Sequence, residues 1–215
     1  MGILQQGLGN DVTAFQEVRV KCAGGWVDAY VSPHEREVLR RRSLGVLAMP
    51  QDLESLDILL RVPLEGAVSE AIFSRRERDK LRRLGPGLLQ CDVDGTGRRT
   101  VRRLVVPPAS VSQIVVRGRN WRSALVRATR FAPYCRRAIM LPAVPVDEEM
   151  LLLEARFYGV GVAVSIGAGE APVWRLEPAP FVPDRYTGAS WQFSELVFEA
   201  WQSAQERAAT AGSLA

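Results

Sequence analysis

The chain has 215 residues, of which 47% are hydrophobic and 24% are charged. This length can bury the core of one large domain or two small ones, and the composition excludes disordered and collagen-like chains. No apolar run approaches the length of a membrane span, and the first residues lack the basic start and long apolar core of a secretory signal. We therefore expect a globular protein with no membrane partner.

Cysteine and histidine usage restricts the metal and redox chemistry that the chain can support. Cys22, Cys91 and Cys135 are widely separated and show no CxxC spacing, which predicts reduced core thiols in a cytoplasmic protein. His34 is the only histidine, which excludes a histidine-rich metal site and argues against a Ser-His-Asp triad. The glycines at 159 and 161 follow a helical pattern, whereas a dinucleotide fingerprint requires a strand before the helix. We expect no cofactor.

The formal net charge is +4, but the charge is unevenly distributed. Only Lys21 and Lys80 are lysines, so arginine supplies 26 of the 28 basic residues, a bias that a GC-rich genome could also produce. No acidic residue occurs between Asp94 and Asp147. The arginines of that interval are Arg98, Arg99, Arg102, Arg103, Arg117, Arg119, Arg122, Arg127, Arg130, Arg136 and Arg137. Because such a block repels itself, an anionic partner is the natural compensation.

The N-terminal part predicts a β-hairpin followed by a helix. Residues 15 to 32 alternate as two strands around Gly24 and Gly25, a pair that tolerates positive φ. Ser32 as N-cap, Pro33 in the first helical position and Glu35 as the second half of a capping box predict a helix that ends near Ser43. Residues 43 to 49 then have the composition of a strand, which Pro50 would close.

A similar pattern occurs twice, at an offset of 42 residues. The segments Val27–Leu47 and Ser69–Leu89 share identities at the pairs Ala29/Ala71, Ser32/Ser74, Glu35/Glu77, Arg36/Arg78, Leu39/Leu81, Arg40/Arg82, Arg41/Arg83, Gly45/Gly87 and Leu47/Leu89. Two interpretations stay open. The chain contains either a duplicated strand–helix unit that presents two basic helices, or two independent helices with similar caps.

A short helix is predicted from Asp52 to Leu60, and a hairpin follows the second basic helix. The turn from Asp94 to Gly97 is flanked by the segments LLQCDVD and RRTVRRLVV. A capped helix before a basic hairpin resembles a winged helix, in which the helix would be the recognition helix and the hairpin the wing. The alternative is a basic hairpin that is only solvated. Pro107-Pro108 is the best domain boundary, which predicts an N-terminal domain over 1–108 and a C-terminal domain over 109–215.

The stretch that follows alternates strands with helices. Its periodicity predicts strand Ser112–Val116, helix Trp121–Ala132, strand Ala138–Leu141, helix Asp147–Tyr158 and strand Val160–Ile166. This alternation favours an α/β fold, with a parallel or mixed sheet covered by helices. A further strand is predicted over Val173–Leu176, and a last helix over Ser190–Arg207 that packs on the sheet or binds a partner or second copy. Its apolar face would contain Phe193, Leu196, Val197, Ala200, Trp201 and Ala204.

The helix predicted from Trp121 has two distinct sides at 100° per residue. The core side would contain Ala124, Leu125, Ala128, Phe131, Ala132 and Cys135. The neighbouring side carries Arg127, Arg130, Tyr134 and Arg137, a row of guanidinium groups suited to a phosphate backbone or simply solvated. Pro133 predicts a kink or an early end of the helix.

The chain between Val111 and Leu176 contains the segments QIVVRGRNWRSAL, RRAIMLP and EARFYGVGVAVSI. These segments resemble the second half of the restriction-endonuclease-like fold, the PD-(D/E)XK group. That resemblance implies a strand ending in Glu-x-Lys near Val115 to Arg117, where this chain has no carboxylate. A nuclease of that type needs clustered carboxylates to hold Mg²⁺. The resemblance therefore implies a nuclease-like scaffold without its catalytic centre.

The function that these patterns predict is binding of nucleic acid, double-stranded DNA in the first place, without catalysis. The residues expected to contact phosphates are Arg98, Arg99, Arg102, Arg103, Arg117, Arg119, Arg122, Arg127, Arg130 and Arg137. One alternative is a scaffold subunit whose arginine surface binds an acidic protein. The other is a metal-dependent nuclease that uses Asp92 and Asp94 with Glu70 or Glu77, although two aspartates at a turn are more often turn formers.

Overall fold

The computed structural model describes residues 15–45, 49–50, 52–85, 87–93, 95–167, 170–183 and 185–212. The strands in these ranges are β1 (Gln16–Cys22), β2 (Gly25–Pro33), β3 (Val68–Ser69), β4 (Leu89–Val93), β5 (Arg99–Arg103), β6 (Ala109–Arg117), β7 (Arg136–Leu141), β8 (Val160–Val164) and β9 (Val173–Leu176). The helices are α1 (Glu35–Ser43), α2 (Leu53–Arg61), α3 (Arg75–Arg83), α4 (Trp121–Thr129), α5 (Glu148–Tyr158) and α6 (Gly188–Gly212). A 3-10 turn at Glu70–Ile72 precedes α3.

The chain divides into two compact units. Unit 1 comprises Met1–Ser32, Ser110–Asp184 and Leu196–Ala215, and unit 2 comprises Pro33–Ala109 and Arg185–Glu195. The junction at residue 109 lies beside the predicted Pro107-Pro108 boundary. The contiguous division into 1–108 and 109–215 differs from these units, however, because β2 lies beside β6 in one sheet and so brings the N-terminal hairpin into unit 1.

Unit 1 is built on a mixed six-stranded sheet in the order β1-β2-β6-β7-β8-β9. Strands β6, β7 and β8 are parallel, while β1 pairs with β2, and β9 with β8, in antiparallel fashion. The predicted α/β fold, with a mixed sheet and flanking helices, is confirmed. All five residues of β8 are buried, as expected for a central strand that is covered on both faces.

The helices that connect the parallel strands begin and end close to the predicted residues. The N-cap of α4 is Asn120, whose Oδ1 accepts a hydrogen bond from the Ser123 amide at 3.1 Å. The helix ends at Thr129, four residues before Pro133, which agrees with the predicted early end. Ala132 is exposed rather than in the core, because it lies beyond the helix. Gly159 ends α5 in the left-handed conformation, with φ 66°.

The start of α1 differs from the prediction. Ser32 is buried within β2 and Pro33 is the last residue of that strand, so neither belongs to the helix. The N-cap is His34, which makes no capping side-chain bond. Its amide donates to the Pro108 carbonyl at 2.8 Å, so backbone pairing outside the helix takes the place of the expected capping box. The first hairpin turns at Ala23 and Gly24, one residue earlier than predicted.

Unit 2 contains a three-stranded antiparallel sheet in the order β3-β5-β4. Helix α3 begins with a complete capping box, in which the Ser74 and Glu77 side chains each bond to the other's backbone amide. The helices and the sheet share one core, formed mainly by Leu56, Leu59, Phe73, Leu81, Leu88, Val101 and Trp191. The predicted hairpin β4–β5 is confirmed, while Asp94 in its turn lies outside the described residues.

The two segments that the 42-residue offset aligns have different local structures. Ser32 lies within a strand of the six-stranded sheet, whereas its counterpart Ser74 is the N-cap of α3. The strand before α1 has nine residues and the strand before α3 has two. The strand predicted after α1, over 43–49, includes residues 46–48, which lie outside the described part of the chain.

Helix α6 is longer than predicted and buries a different set of residues. Phe193 and Val197 are buried as expected, but Leu196 is 38% exposed. Trp191 and Phe198, absent from the predicted face, are almost completely buried. The helix continues past its predicted end at Arg207 to Gly212, and residues 213–215 lie outside the described chain. Among the described helices, none is long and apolar enough to cross a membrane.

The cap of α2 yields a pH-dependent prediction. Asp52 Oδ1 accepts hydrogen bonds from Lys80 at 2.8 Å and from the Ser55 amide at 2.9 Å. These two bonds, that of Lys80 first, lower the pKa of Asp52 from 3.8 to about 2. Asp52→Ala should lower the free energy of unfolding of unit 2 by about 1 kcal/mol at pH 7, the usual effect of losing an N-cap. The exposed position of Asp52 keeps the purely ionic share small.

The pH dependence follows from the sign of that shift. Because the folded-state pKa is depressed, the stabilisation is complete above the unfolded value of about 4 and is lost as the pH falls through 2. Urea unfolding followed by circular dichroism at pH 7 and at pH 2 should show the difference between wild type and Asp52→Ala shrinking at the lower pH. An equal difference at both values would contradict the role of the ionised cap.

Candidate nucleic-acid surfaces

The four arginines on the β4–β5 hairpin of unit 2 differ in their exposure and contacts. Arg98 in the turn and Arg99 at the start of β5 are exposed. Arg102 donates to the Gln90 side chain at 2.6 Å. The Arg103 guanidinium lies over the Trp191 ring, 5.4 Å from its centroid, and burial lowers the pKa of Arg103. Of the four arginines predicted on this hairpin, the first two are therefore exposed, while Arg103 packs against the core.

Helix α3 carries six basic and two acidic residues in its nine positions. Three of the basic residues are held by acids: Arg76 by Glu54 at 2.9 Å, Lys80 by Asp52 and Glu54 at 2.8 Å each, and Arg82 by Glu70 at 3.0 Å. Arg75 and Arg83 are exposed, and within the described chain neither forms an ion pair. The sequence prediction did not include these two residues, although the capping box and the basic composition of this helix were visible.

Arg117, at the end of β6, is paired with acids that the sequence places far away. Its Nε donates to the buried Asp28 carboxylate of β2, and Glu17 of β1 lies 3.5 Å from Nη2. Both acids precede the acid-free interval by more than sixty residues. Sequence reasoning missed Asp28, because the pairing depends on β2 lying beside β6.

Of the two arginines around the start of α4, Arg122 is paired with an acid and Arg119 is exposed. Arg122 donates to Asp147 at 2.8 Å, and its guanidinium lies 4.2 Å from the Trp121 ring centroid. Trp121 donates to the other oxygen of Asp147 at 2.9 Å, and this bond, followed by the one from Arg122, lowers the pKa of Asp147. Arg119 is exposed and has no ion pair among the described residues.

The row of arginines predicted on one side of the helix from Trp121 does not lie on a single helix, because α4 ends at Thr129 and Arg137 belongs to β7. Their guanidinium groups are bound by backbone carbonyl oxygens. Arg127 donates to the Trp26 carbonyl at 3.0 Å, Arg130 to the Ala23 carbonyl at 3.3 Å and Arg137 to the Tyr158 carbonyl at 3.0 Å. A carbonyl oxygen orients a guanidinium group without neutralising it. These groups therefore keep their positive charge, although burial lowers the pKa of Arg137.

The contact of Arg127 with the hairpin turn requires a glycine. A Cβ at Gly25 would overlap the Arg127 guanidinium, so this position allows the side chain to lie directly on the backbone of the turn. The Arg127 Nε is buried and has no hydrogen-bond partner within the described structure. Arg127 and Arg130 thus hold the β1–β2 turn on α4 in addition to supplying charge.

The residues of the nuclease alternative are used in other ways. Glu77 caps α3 and pairs with Arg61. Its hydrogen bonds with Ser74, followed by the bond from Arg61, lower the pKa of Glu77 to about 2. The buried Glu70 pairs with Arg82. Asp92 is exposed on β4, and Asp94 lies outside the described residues. Within the described chain no group of three or more His, Cys, Asp and Glu side chains is placed to hold a metal ion.

The ion pair between Arg117 and Asp28 is testable by a double-mutant cycle. Arg117→Gln should destabilise unit 1 by about 2 kcal/mol, because it leaves a buried carboxylate without its charged partner. Asp28→Asn combined with Arg117→Gln should cost less than the sum of the two single changes. Urea unfolding of the four proteins measures the coupling. Strictly additive effects would mean that the pair contributes nothing.

Comparison with protein-family models, with curated proteins and with solved structures found no match to this chain. A function must therefore be inferred from the chemistry of its own residues. The relevant observations are the exposed arginines on α3 and the β4–β5 hairpin in unit 2, and the carbonyl-bound arginines beside α4 in unit 1.

Proposed function

We propose that this protein binds double-stranded DNA through its phosphate backbone and does not catalyse a reaction on it. The observation that carries the proposal is the arrangement of α2, β3, α3 and the β4–β5 hairpin in unit 2. Strand β3 pairs with the free edge of β5, with Val68 opposite Val101, so that helix and hairpin belong to one packed unit. This arrangement resembles a winged helix, in which α3 would be the reading helix and β4–β5 the wing.

The distribution of charge on unit 2 supports this assignment. Acids from outside α3 bind Arg76, Lys80 and Arg82, so these residues fix the helix on its own unit. Arg75 and Arg83 on α3, and Arg98 and Arg99 on the hairpin, are exposed. Guanidinium groups in such positions can contact phosphate oxygens, which supply most of the affinity of a nucleic-acid-binding protein.

Unit 1 carries a second surface of the same chemistry. The guanidinium groups of Arg127, Arg130 and Arg137 each donate to a carbonyl oxygen and keep their charge. A guanidinium has five N–H donors, so one such bond leaves others for an anion. Arg119 adds an exposed charge just before α4. Arg117 and Arg122, by contrast, are already paired with carboxylates and contribute less net charge than predicted.

The non-catalytic part of the proposal rests on β6. The resemblance to PD-(D/E)XK nucleases places a carboxylate near Val115, and Val115 is a buried core residue that packs with Ala138 and Met140. Arg117, at the place of the expected lysine, is paired with Asp28 and is too basic to accept a proton from water. The residues of this strand therefore hold the sheet together instead of binding a metal.

Contacts with phosphates alone predict weak sequence preference. Base readout requires side chains placed for paired hydrogen bonds to base edges, whereas exposed arginines on a hairpin and at the ends of a helix contact the backbone of any duplex. Binding should accordingly be governed by ionic strength, with log K falling linearly as log salt concentration rises.

The unit 2 surface can be tested with a pair of charge-matched variants. Arg98→Gln with Arg99→Gln should weaken binding to a labelled random duplex and reduce the magnitude of the log–log salt slope by about 2, since each lost phosphate contact removes about 0.9. Arg36→Gln with Arg42→Gln removes the same charge from exposed positions of α1 and should leave the slope nearly unchanged. Fluorescence anisotropy at several salt concentrations provides both measurements. Equal effects of the two variants would contradict a local contact by the hairpin.

The unit 1 surface needs its own test, because some of its arginines also stabilise the fold. Arg119→Gln with Arg130→Gln changes two exposed side chains. The expected result is a salt slope smaller in magnitude by about 1 to 2 and a melting temperature slightly below that of wild type, because Arg130 loses its hydrogen bond to the Ala23 carbonyl. Unchanged affinity and slope would restrict DNA binding to unit 2.

A further inference from the structure

Helix α5 presents an apolar stripe to solvent. Met150, Leu153 and Phe157 are 49%, 65% and 82% exposed, and their spacing of three and four residues places them on one face. Val146, just before the helix, is fully exposed. Leu151 and Ala155 are buried on the opposite side. The helix is therefore apolar on two faces, of which only one is covered within the described chain.

The C-terminal end of this stripe is aromatic and exposed. The Phe157 ring meets the Tyr158 ring edge to face, with centroids 5.0 Å apart, and both side chains are exposed. A contiguous exposed stripe of large apolar side chains on a helix is a feature of interaction surfaces, because its burial removes apolar area from water.

Two charged residues border one edge of the stripe. Glu149 and Arg156 lie seven residues apart, about 10 Å along the helix axis, which is too far for them to pair with each other. Neither forms an ion pair within the described structure. Glu148, one position earlier, is by contrast held by Arg175 at 2.6 Å. The edge of the stripe thus carries a negative charge near its start and a positive charge near its end.

We propose that α5 is the contact surface for a second copy of this chain, packed antiparallel about a two-fold axis. In an antiparallel helix pair the same edge of each helix meets its counterpart in reverse order. Glu149 would then face Arg156 of the partner subunit, and the symmetry repeats this pair. Leu153, midway between the charges, would lie near the axis, and Met150 would pack against Phe157 of the partner subunit.

The self-complementary charge pattern identifies the occupant as a second copy rather than an unrelated protein. A different partner would need its own matching stripe, whereas this edge already matches itself when reversed. An eleven-residue helix is only about 16 Å long, so the interface falls at the low end of specific interfaces. The dimer should therefore dissociate on dilution. This proposal does not depend on DNA binding, and its test uses no DNA.

The first test is sedimentation equilibrium of the full chain over a wide concentration range. Wild type should show a monomer–dimer equilibrium, and Leu153→Asp should weaken it at least tenfold. Leu39→Asp is the matched control, because Leu39 is a leucine on α1 with 63% exposure, nearly equal to that of Leu153. It should leave the equilibrium unchanged. Thermal melting followed by circular dichroism verifies that both variants are folded.

The second test addresses the orientation. Glu149→Arg alone places like charges opposite each other at both symmetric positions and should weaken the dimer about tenfold, as should Arg156→Glu alone. The protein with both changes restores opposite charges and should dimerise within about threefold of wild type. A monomer at all concentrations, a dimer insensitive to Leu153→Asp, or a double variant no better than the single variants would overturn the proposal.

Discussion

Guanidinium groups bound to backbone carbonyl oxygens join elements of unit 1 that are distant in sequence. Arg127 and Arg130 of the α4 region hold the turn of the first hairpin, and Arg137 holds the end of α5. A chain so rich in arginine cannot pair every guanidinium with a carboxylate without losing the charge that attracts an anion. Carbonyl acceptors allow the same side chains to stabilise the fold and remain cationic.

Where carboxylates are used, they serve to orient elements. Asp28 pairs with Arg117 across adjacent strands, and Asp147 joins Trp121 and Arg122 ahead of α5. In unit 2, Asp52 and Glu54 bind side chains of α3 from the start of α2. Exposed arginines are found on the β4–β5 hairpin, on α3 and beside α4, as well as on other elements such as α1. Arginines paired with carboxylates thus serve mainly the fold, whereas those bound to carbonyl oxygens serve both the fold and the proposed function.

Much of the fold could be predicted from periodicity. The alternation of strands and helices from β6 to β8, and the hairpin β4–β5, depend on local patterns and were found within a few residues. Pairings distant in sequence could not be predicted. The proximity of β2 to β6, which places Asp28 beside Arg117, has no local signal in the sequence. The capping box expected at Ser32 does not form, because β2 extends through this residue. The restriction-endonuclease-like resemblance stays a prediction.

The positions of the arginines were visible in the sequence, but the surroundings of each one were not. The acid-free interval identified where arginines concentrate, but sequence could not tell that Arg103 packs on Trp191 or that Arg75 and Arg83 are exposed on α3.

The most direct test of DNA binding is fluorescence anisotropy of a labelled random DNA duplex with wild-type protein from low to high salt. If the protein binds the phosphate backbone, log K falls linearly as log salt concentration rises. Absence of binding even at the lowest salt would contradict the proposed DNA binding.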